Sequence, residues 1–107
     1  MNNTKVSLLM PCSHDKAVSF YGKAILIETD DYIKLQSYDT IVCVFDKTYN
    51  SVKINGYYSM TTGRHIRSFL EFLGVNTKAM VETSGCRSFK KLIEKYPEFK
   101  LSDATVI

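Results

Sequence analysis

The sequence predicts an α+β fold in which an antiparallel sheet of about four to five strands packs against two amphipathic helices. The first half of the chain consists of short β-branched and aromatic segments separated by turns, and the second half has apolar residues at helical spacing. Strands joined by short turns favour an antiparallel meander, and strands followed by helices are typical of α+β proteins. The length of 107 residues indicates one domain over residues 1–107.

The first half contains five candidate strands. Gly22 is expected to form a bulge or bend within the second of them, and Asp30 with Asp31 makes the turn that follows it. In the fourth, apolar residues occupy both faces, which predicts a central strand covered at least in part on both sides. The segments are 5–10, 17–29, 32–36, 38–46 (Ile41, Cys43 and Phe45 on one face, Val42 and Val44 on the other) and 51–58.

Two amphipathic helices are predicted in the second half. The first begins near Thr62 and ends at Gly74, and the second covers residues 86–96 before Pro97. Residues 75–85 between them fit either a short strand or a helical turn, and residues 98–107 are expected to add an edge strand. The apolar arc of the first helix contains Ile66, Phe69, Leu70, Phe72 and Leu73.

The composition argues against several classes of protein. The net charge of +3 is small for a dedicated nucleic-acid binder and has the wrong sign for a DNA mimic, and no apolar run is long enough to span a bilayer. The start of the chain does not resemble a secretory signal. Three cysteines, Cys12, Cys43 and Cys86, without a C-x-x-C pair indicate free thiols in a reducing cytoplasm. No metal or cofactor is expected.

The start of the first helix carries more polar groups than a cap requires. Thr61 or Thr62 is expected to cap the helix, and the unpaired N–H groups of its first turn carry partial positive charge. Together with Arg64 they form a candidate site for a phosphate or a carboxylate. The alternative is capping alone, with Arg64 solvated. The candidate binding residues in this region are Ser59, Thr61, Thr62, Arg64, His65 and Arg67.

His65 is the candidate catalytic residue, and the alternative for it is a half-buried position with one hydrogen-bond partner. Asp39 or Cys12 is its candidate catalytic partner, but Asp39 also fits the turn before the fourth strand. A polar turn is a better interpretation than a nucleophile–base pair or a metal site for the neighbouring stretch of Cys12, Ser13, His14 and Asp15.

Basic residues concentrate on the second helix, where only Glu94 interrupts them. This face is either solvated, as charged outer faces of helices usually are, or a nucleic-acid surface that binds phosphates in a salt-dependent manner. The tyrosines Tyr49, Tyr57 and Tyr58 fit either base stacking or packing across strands. The basic candidates are Arg87, Lys90, Lys91, Lys95 and Lys100.

Three motifs resemble those of a family of small uncharacterised proteins that occur in bacteriophages and in the bacteria that host them. The motifs are F-Y-G-K-A at 20–24, S-Y-x-T at 37–40, and Y-S-x-T-T-x-R-H at 58–65 followed by Phe69 and Leu70. The resemblance covers residues 19–70 and implies an origin rather than an activity. It leaves two interpretations of the polar residues in the third motif: an internal network that joins strand to helix, or a ligand site.

These observations lead to three functional hypotheses. The first is a non-enzymatic phage-type protein that inhibits a host defence complex, such as a CRISPR nuclease, by protein–protein contact in the bacterial cytoplasm, as a monomer or small homo-oligomer. Its contact surfaces are the helix faces and a strand edge, or an acidic patch of Glu28, Asp30 and Asp31. The second is a nucleic-acid-binding accessory protein that uses Arg64 and the lysines of the second helix. The third is a small enzyme that uses His65.

Overall fold

A computed structural model describes residues 4–12, 15–17, 19–55 and 59–104, and within them three α-helices accompany one antiparallel sheet. The six strands lie in chain order, and each pairs with the next one along the chain; β5 and β6 also pair, although the three helices separate them in the sequence. The elements are β1 (Lys5–Leu8), β2 (Ala24–Glu28), β3 (Tyr32–Ser37), β4 (Thr40–Asp46), β5 (Ser51–Ile54), α1 (Met60–Phe72), α2 (Thr77–Ser84), α3 (Phe89–Lys95) and β6 (Glu98–Lys100).

The α+β class is confirmed, but six strands and three α-helices replace the predicted four to five strands and two helices. The additional helix, α2, lies in the stretch 75–85 that fitted either a strand or a helical turn. The side chain of Asn76 accepts a hydrogen bond from the N–H of Ala79 at its start, and Gly85 ends it with a φ of 76°. The predicted terminal edge strand is β6, and residues 105–107 lie outside the described ranges.

The second predicted strand is shorter than expected. Tyr21 and Gly22 have positive φ angles of 53° and 76°, so the chain turns at this point. The strand β2 therefore begins only at Ala24, and Gly22 precedes it rather than forming a bulge within it. The fifth predicted strand extended to residue 58, but residues 56–58 are not among those described.

One face of the sheet forms the core. The register places Leu26, Leu35, Cys43 and Ile54 opposite one another in four successive strands, so their side chains form a row across the sheet. The helix α1 packs over β3 and β4 on this side. The buried apolar residues that it contributes are Ile66, Phe69 and Leu70.

Phe72 does not belong to this core, although the sequence placed it in the same apolar arc. It is the last residue of α1, and its side chain is 55% exposed. It lies beside an open groove next to β1 rather than over the centre of the sheet. The apolar arc of α1 is therefore wider than the surface that the sheet covers.

A bulge explains why Val42 is buried. The register shifts after Leu35, which lies opposite Cys43, so that Val42 becomes an extra residue in β4. Val42 and Cys43 are both buried, whereas Ile41 and Val44 are only half-buried. The second face of β4 is therefore only partly covered, and Val42 belongs to the same buried cluster as Cys43.

The cysteines differ in their burial. The three cysteines form no disulfide, as their number and spacing predicted. Cys43 is fully buried, and burial raises the pKa of its thiol far above the usual value, whereas Cys12 and Cys86 are half-buried. In the part of the chain that the structure describes, none of the helices has the length and apolar character needed to cross a bilayer.

Candidate functional site

Ser59 caps α1, in place of the predicted Thr61 or Thr62. Its backbone is extended, and its Oγ accepts a hydrogen bond from the N–H of Thr62 at 3.1 Å. The hydroxyl of Thr62 has a different role, because it lies 3.2 Å from Oγ of Ser59 and 3.1 Å from Oγ of Ser37 in β3. Thr62 and Ser37 are both buried. The hydroxyl groups at the start of the helix thus connect α1 to the sheet.

His65 extends this network into the core. Its Nδ1 lies 2.8 Å from Oγ of Ser37, and its ring centroid is 4.5 Å from that of Phe20 and 5.9 Å from that of Tyr38. The residue is 1% exposed, which is deeper than the half-buried position considered from the sequence. Burial lowers the pKa of His65, and the nearby charge of Arg64 lowers it further. The neutral imidazole is therefore the favoured form in the folded protein.

Ser37 takes the place that the sequence assigned to Asp39 or Cys12. Among the described residues, neither of those two is hydrogen bonded to His65: Asp39 lies exposed in the turn between β3 and β4, and the backbone N–H of Cys12 donates to Ser68. Ser37 was missed as a partner of His65, although both residues belong to the motifs of the family resemblance. Ser13 and His14 lie outside the described ranges.

Arg64 is paired with Asp15, although its side chain stays 48% exposed. Its Nε and one terminal nitrogen donate to the two carboxylate oxygens at 2.9 and 2.6 Å, and the side chain of Asp15 is almost completely buried. These hydrogen bonds lower the pKa of Asp15, which therefore stays ionised. Together with the hydrogen bond from Cys12 to Ser68, the pair fixes the segment after β1 along α1.

This arrangement creates a seam, which we define as the boundary between residues 7–12 and 15–16 on one side and α1 on the other. The chain runs antiparallel to the helix, because Cys12 contacts Ser68 and Asp15 contacts Arg64 one turn earlier. Two hollows lie end to end along the seam, and Cys12 lines both. The first, the apolar hollow, has a volume of about 500 Å³ and is lined by residues that include Leu8, Leu9, Met10, Glu71 and Phe72.

The second, the basic hollow, has a volume of about 420 Å³ and is lined by Cys12, Asp15, Lys16, Arg64 and Arg67. Because Asp15 is already paired with Arg64, the remaining positive charge belongs to Lys16 and Arg67. Within the described ranges neither of these has a carboxylate partner, and Nε of Arg67 donates to Oγ1 of Thr77 at 2.8 Å. The basic hollow can therefore accept an anionic group.

The lysines of α3 lie apart from this hollow. Lys90, Lys91 and Lys95 are exposed; Lys91 is 3.7 Å from Glu94, and Lys95 lies over the ring of Tyr96. The guanidinium group of Arg67 in α1 lies 5.8 Å from the ring centroid of Phe89 at the start of this helix. Arg67 thus connects the basic hollow to the start of α3.

The acidic candidates at the other end of β2 are partly neutralised. Nζ of Lys47 donates to a carboxylate oxygen of Glu28 at 2.7 Å, and this hydrogen bond lowers the pKa of Glu28. Asp30 and Asp31 are exposed in the turn before β3. Across the described ranges, no group of three or more His, Cys, Asp or Glu side chains is placed to hold a metal ion.

The strand β1 forms one edge of the sheet, and the direction of its main-chain groups follows from the register. The N–H of Leu9 donates to the carbonyl of Ala24, so Leu9 is a hydrogen-bonded partner of β2. In an antiparallel pair, every second residue of a strand makes main-chain hydrogen bonds to its partner strand. Ser7 and Lys5 therefore also hydrogen bond to β2. The N–H and C=O groups of the intervening residues, Val6 and Leu8, point away from the sheet.

The same two residues are exposed: 64% for Val6 and 61% for Leu8. Met10, which follows them, is also exposed, and Phe72 lies across the apolar hollow from this segment. Among the described residues no strand pairs with this edge of β1. The edge and the apolar hollow together form the candidate binding site. The sequence hypothesis named a strand edge as a contact surface but specified neither β1 nor the hollow.

A model of a family of unknown function, DUF8033, matches residues 9–85. The chain belongs to this family. The matched range includes the Ser37–His65 network, the basic hollow and α2, whereas β1, α3 and β6 lie outside it. No curated protein and no solved structure matches the chain.

Proposed function

We propose that this DUF8033 protein is a non-enzymatic binding protein, and that the open edge of β1 accepts an extended segment of a partner protein as an additional strand. The observation that carries the proposal is that Val6 and Leu8 combine outward main-chain groups with exposed apolar side chains. Strand addition uses main-chain hydrogen bonds for affinity and alternate side-chain contacts for specificity. Both kinds of contact are available at the same two residues.

The length of β1 limits the partner segment. The strand has only four residues, begins with the charged Lys5 and is followed three residues after its end by Pro11. Short length, charge and proline each restrict pairing at a sheet edge. Such an edge supports a short, defined pairing and disfavours open-ended association. Additional apolar contact comes from the hollow between this strand and Phe72.

Inhibition of a host defence complex by a phage-type protein in the bacterial cytoplasm remains our prediction for the biological role. Its support is the resemblance of the three sequence motifs. The contact surfaces considered for such an inhibitor were the helix faces and a strand edge, or the acidic patch. The strand edge, which corresponds to β1, has more support than the acidic patch, because Lys47 pairs with Glu28. The exposed carboxylates of Asp30 and Asp31 are then the only members of that patch without an ion pair among the described residues.

The two alternative functions have less support than strand addition. Ser37 and His65 are buried, so a substrate would reach this pair only after α1 had separated from β3. The exposed lysines of α3 support binding of a nucleic-acid backbone, but none of them lines the basic hollow, which approaches this helix at the contact between Arg67 and Phe89. A gel-shift titration at two salt concentrations tests this alternative, because phosphate contacts weaken with salt.

A peptide display library tests the proposed function. Random ten-residue peptides on the yeast surface are selected with the labelled protein, and enriched peptides are synthesised for affinity measurements. We expect enrichment of peptides with apolar residues at alternate positions. The substitution Val6→Pro removes an outward N–H without removing a hydrogen bond to β2, and we expect it to weaken binding about tenfold.

The matched control is Tyr49→Ala, which removes an exposed side chain at the turn between β4 and β5 and should leave binding unchanged. Circular dichroism and thermal unfolding verify that both variants fold. Binding of the Val6→Pro variant at wild-type strength overturns the proposal, as does the absence of any enriched peptide. A dimer that forms with rising concentration and dissociates in the Val6→Pro variant would assign the edge to a second copy instead of a partner.

A further inference from the structure

We infer that the partner segment is amphipathic along its length: its apolar side chains occupy the apolar hollow, and an acidic group at one end pairs with Lys16 and Arg67 in the basic hollow. The inference rests on the proposed function, since it assumes that an extended segment pairs with β1. It adds two properties of the partner segment: its side chains are apolar along most of its length, and its acidic group lies at the end near Lys16. Two features of the seam carry it.

The first feature is the continuity of the two hollows. A strand that pairs with β1 directs every second side chain toward the helix side of the sheet, where the apolar hollow lies. Beyond Leu8 the chain of this protein continues along α1 to Cys12, which lines both hollows, and then to Lys16. A partner segment that pairs with β1 and continues beside residues 9–16 therefore passes from the apolar hollow to the basic hollow.

The second feature is the distribution of charge. At the apolar end of the seam the ionisable residue is Glu71, which also accepts a hydrogen bond from Thr77. At the other end Lys16, Arg64 and Arg67 outnumber Asp15, whose carboxylate is occupied by Arg64. An acidic group of the partner is therefore attracted to the basic end of the seam. This asymmetry fixes the orientation of the partner along the seam.

Substitution of Lys16 tests the proposed pairing with an acidic group without disturbing the fold. Lys16 is exposed and makes no ion pair with the described residues, so its substitution leaves the hydrogen bonds of the seam intact. Arg67 is less suitable, because it also holds Thr77 and lies over Phe89. Lys100 in β6, on the opposite edge of the sheet, is an exposed lysine that provides a control with the same change in net charge.

The experiment uses the peptides enriched on the wild-type protein. We expect most of them to carry an Asp or Glu at one end, and we expect Lys16→Glu to weaken their binding about fivefold at low salt, as for an exposed ion pair. Lys100→Glu should have no such effect. Synthetic peptides with that acidic residue replaced by its amide should bind the wild type about fivefold more weakly and respond equally to the two variants.

The outcomes separate this inference from the proposed function. Enriched peptides that lack acidic residues, or equal losses for Lys16→Glu and Lys100→Glu, overturn the inference. Strand pairing at β1 is judged independently by the response of the same peptides to Val6→Pro. Peptides that respond to Lys16→Glu but not to Val6→Pro would show a basic site without strand addition, and would overturn the proposed function and this inference together.

Discussion

Oγ of Ser37 lies 2.8 Å from Nδ1 of His65, and this buried contact joins β3 to α1. The surrounding contacts come from the motifs of the family resemblance: Phe20 from the first, Tyr38 from the second, and Thr62 from the third. These residues, far apart in the sequence, therefore meet in one internal network. Of the two interpretations of the third motif, the observed contacts of Ser59, Thr62 and His65 are those of a network that connects the strand to the helix.

The first prediction concerns the stability that this network provides. His65→Ala leaves a cavity beside Phe20 and removes the hydrogen bond between Nδ1 and Oγ of Ser37, so we expect the free energy of unfolding to fall by about 3 kcal/mol. Urea denaturation followed by circular dichroism measures this loss. Peptide binding at the β1 edge should be retained, because the network lies inside the protein.

A double-mutant cycle separates the hydrogen bond from the packing. The variants are Ser37→Ala, His65→Ala and the combination of both. We expect a coupling energy of about 1 kcal/mol, since either single substitution already removes the contact. Strictly additive losses would show that the two side chains contribute independently, contrary to the direct hydrogen bond.

The second prediction concerns pH. The pKa of His65 is lowered in the folded state, chiefly by burial and further by Arg64, and only partly offset by Asp15. The unfolded chain therefore binds a proton at this residue at a higher pH than the folded protein does. The free energy of unfolding should decrease as the pH falls below the unfolded pKa of about 6.5, by at most about 1.4 kcal/mol per pH unit, and should be constant above it.

Urea midpoints at pH 7.5 and 5.5, for the wild type and for His65→Gln, measure this effect. The change in urea midpoint between pH 7.5 and 5.5 should be smaller in the variant. Any contribution of His14 is the same in both proteins and does not affect this comparison. Asp15 and Glu28 have lowered pKa values, so the stability that they contribute is lost only at more acidic pH. An equal pH dependence in the variant would assign the effect to other groups.

The third prediction compares two phenylalanines of the same helix. Phe69 has no exposed surface and Phe72 is 55% exposed, although the sequence placed both in one apolar arc. Phe69→Ala should lower the free energy of unfolding by about 3–5 kcal/mol, and Phe72→Ala by less than about 1 kcal/mol. Each variant is the control for the other, because both shorten a phenylalanine in α1. Similar losses would contradict the observed position of the helix over the sheet.

Periodicity in the sequence was sufficient for the elements with a strong pattern. The alternation in 32–36 and 38–46 and the apolar arc around Phe69 correspond to β3, β4 and α1. The pattern was insufficient for α2, which is two turns long and whose only fully buried residue is Thr77. For α2 the informative signals were its ends, with Asn76 at the start and Gly85 at the stop.

The candidate site was less accessible to sequence reasoning, because it depends on contacts between distant residues. Asp15 and Arg64 are 49 positions apart, and their pairing follows from the path of residues 9–17 along α1. The strand β1 was predicted, but its open edge results from the pairing of β6 with β5 rather than with β1. Only the register of β1 on β2 and the hydrogen bond from Leu9 to Ala24 show that the main-chain groups of Val6 and Leu8 point outward.

The position of β6 also has a consequence for folding. The strands β2 to β5 form hairpins between neighbouring segments, and such short-range contacts close small loops and form quickly, whereas residues 9–23 separate β1 from β2. The last strand pairs with β5 only across the three helices, so its loop is the longest in the sheet. During synthesis on the ribosome, we expect β5 to remain a temporary second edge until residues 98–100 have emerged.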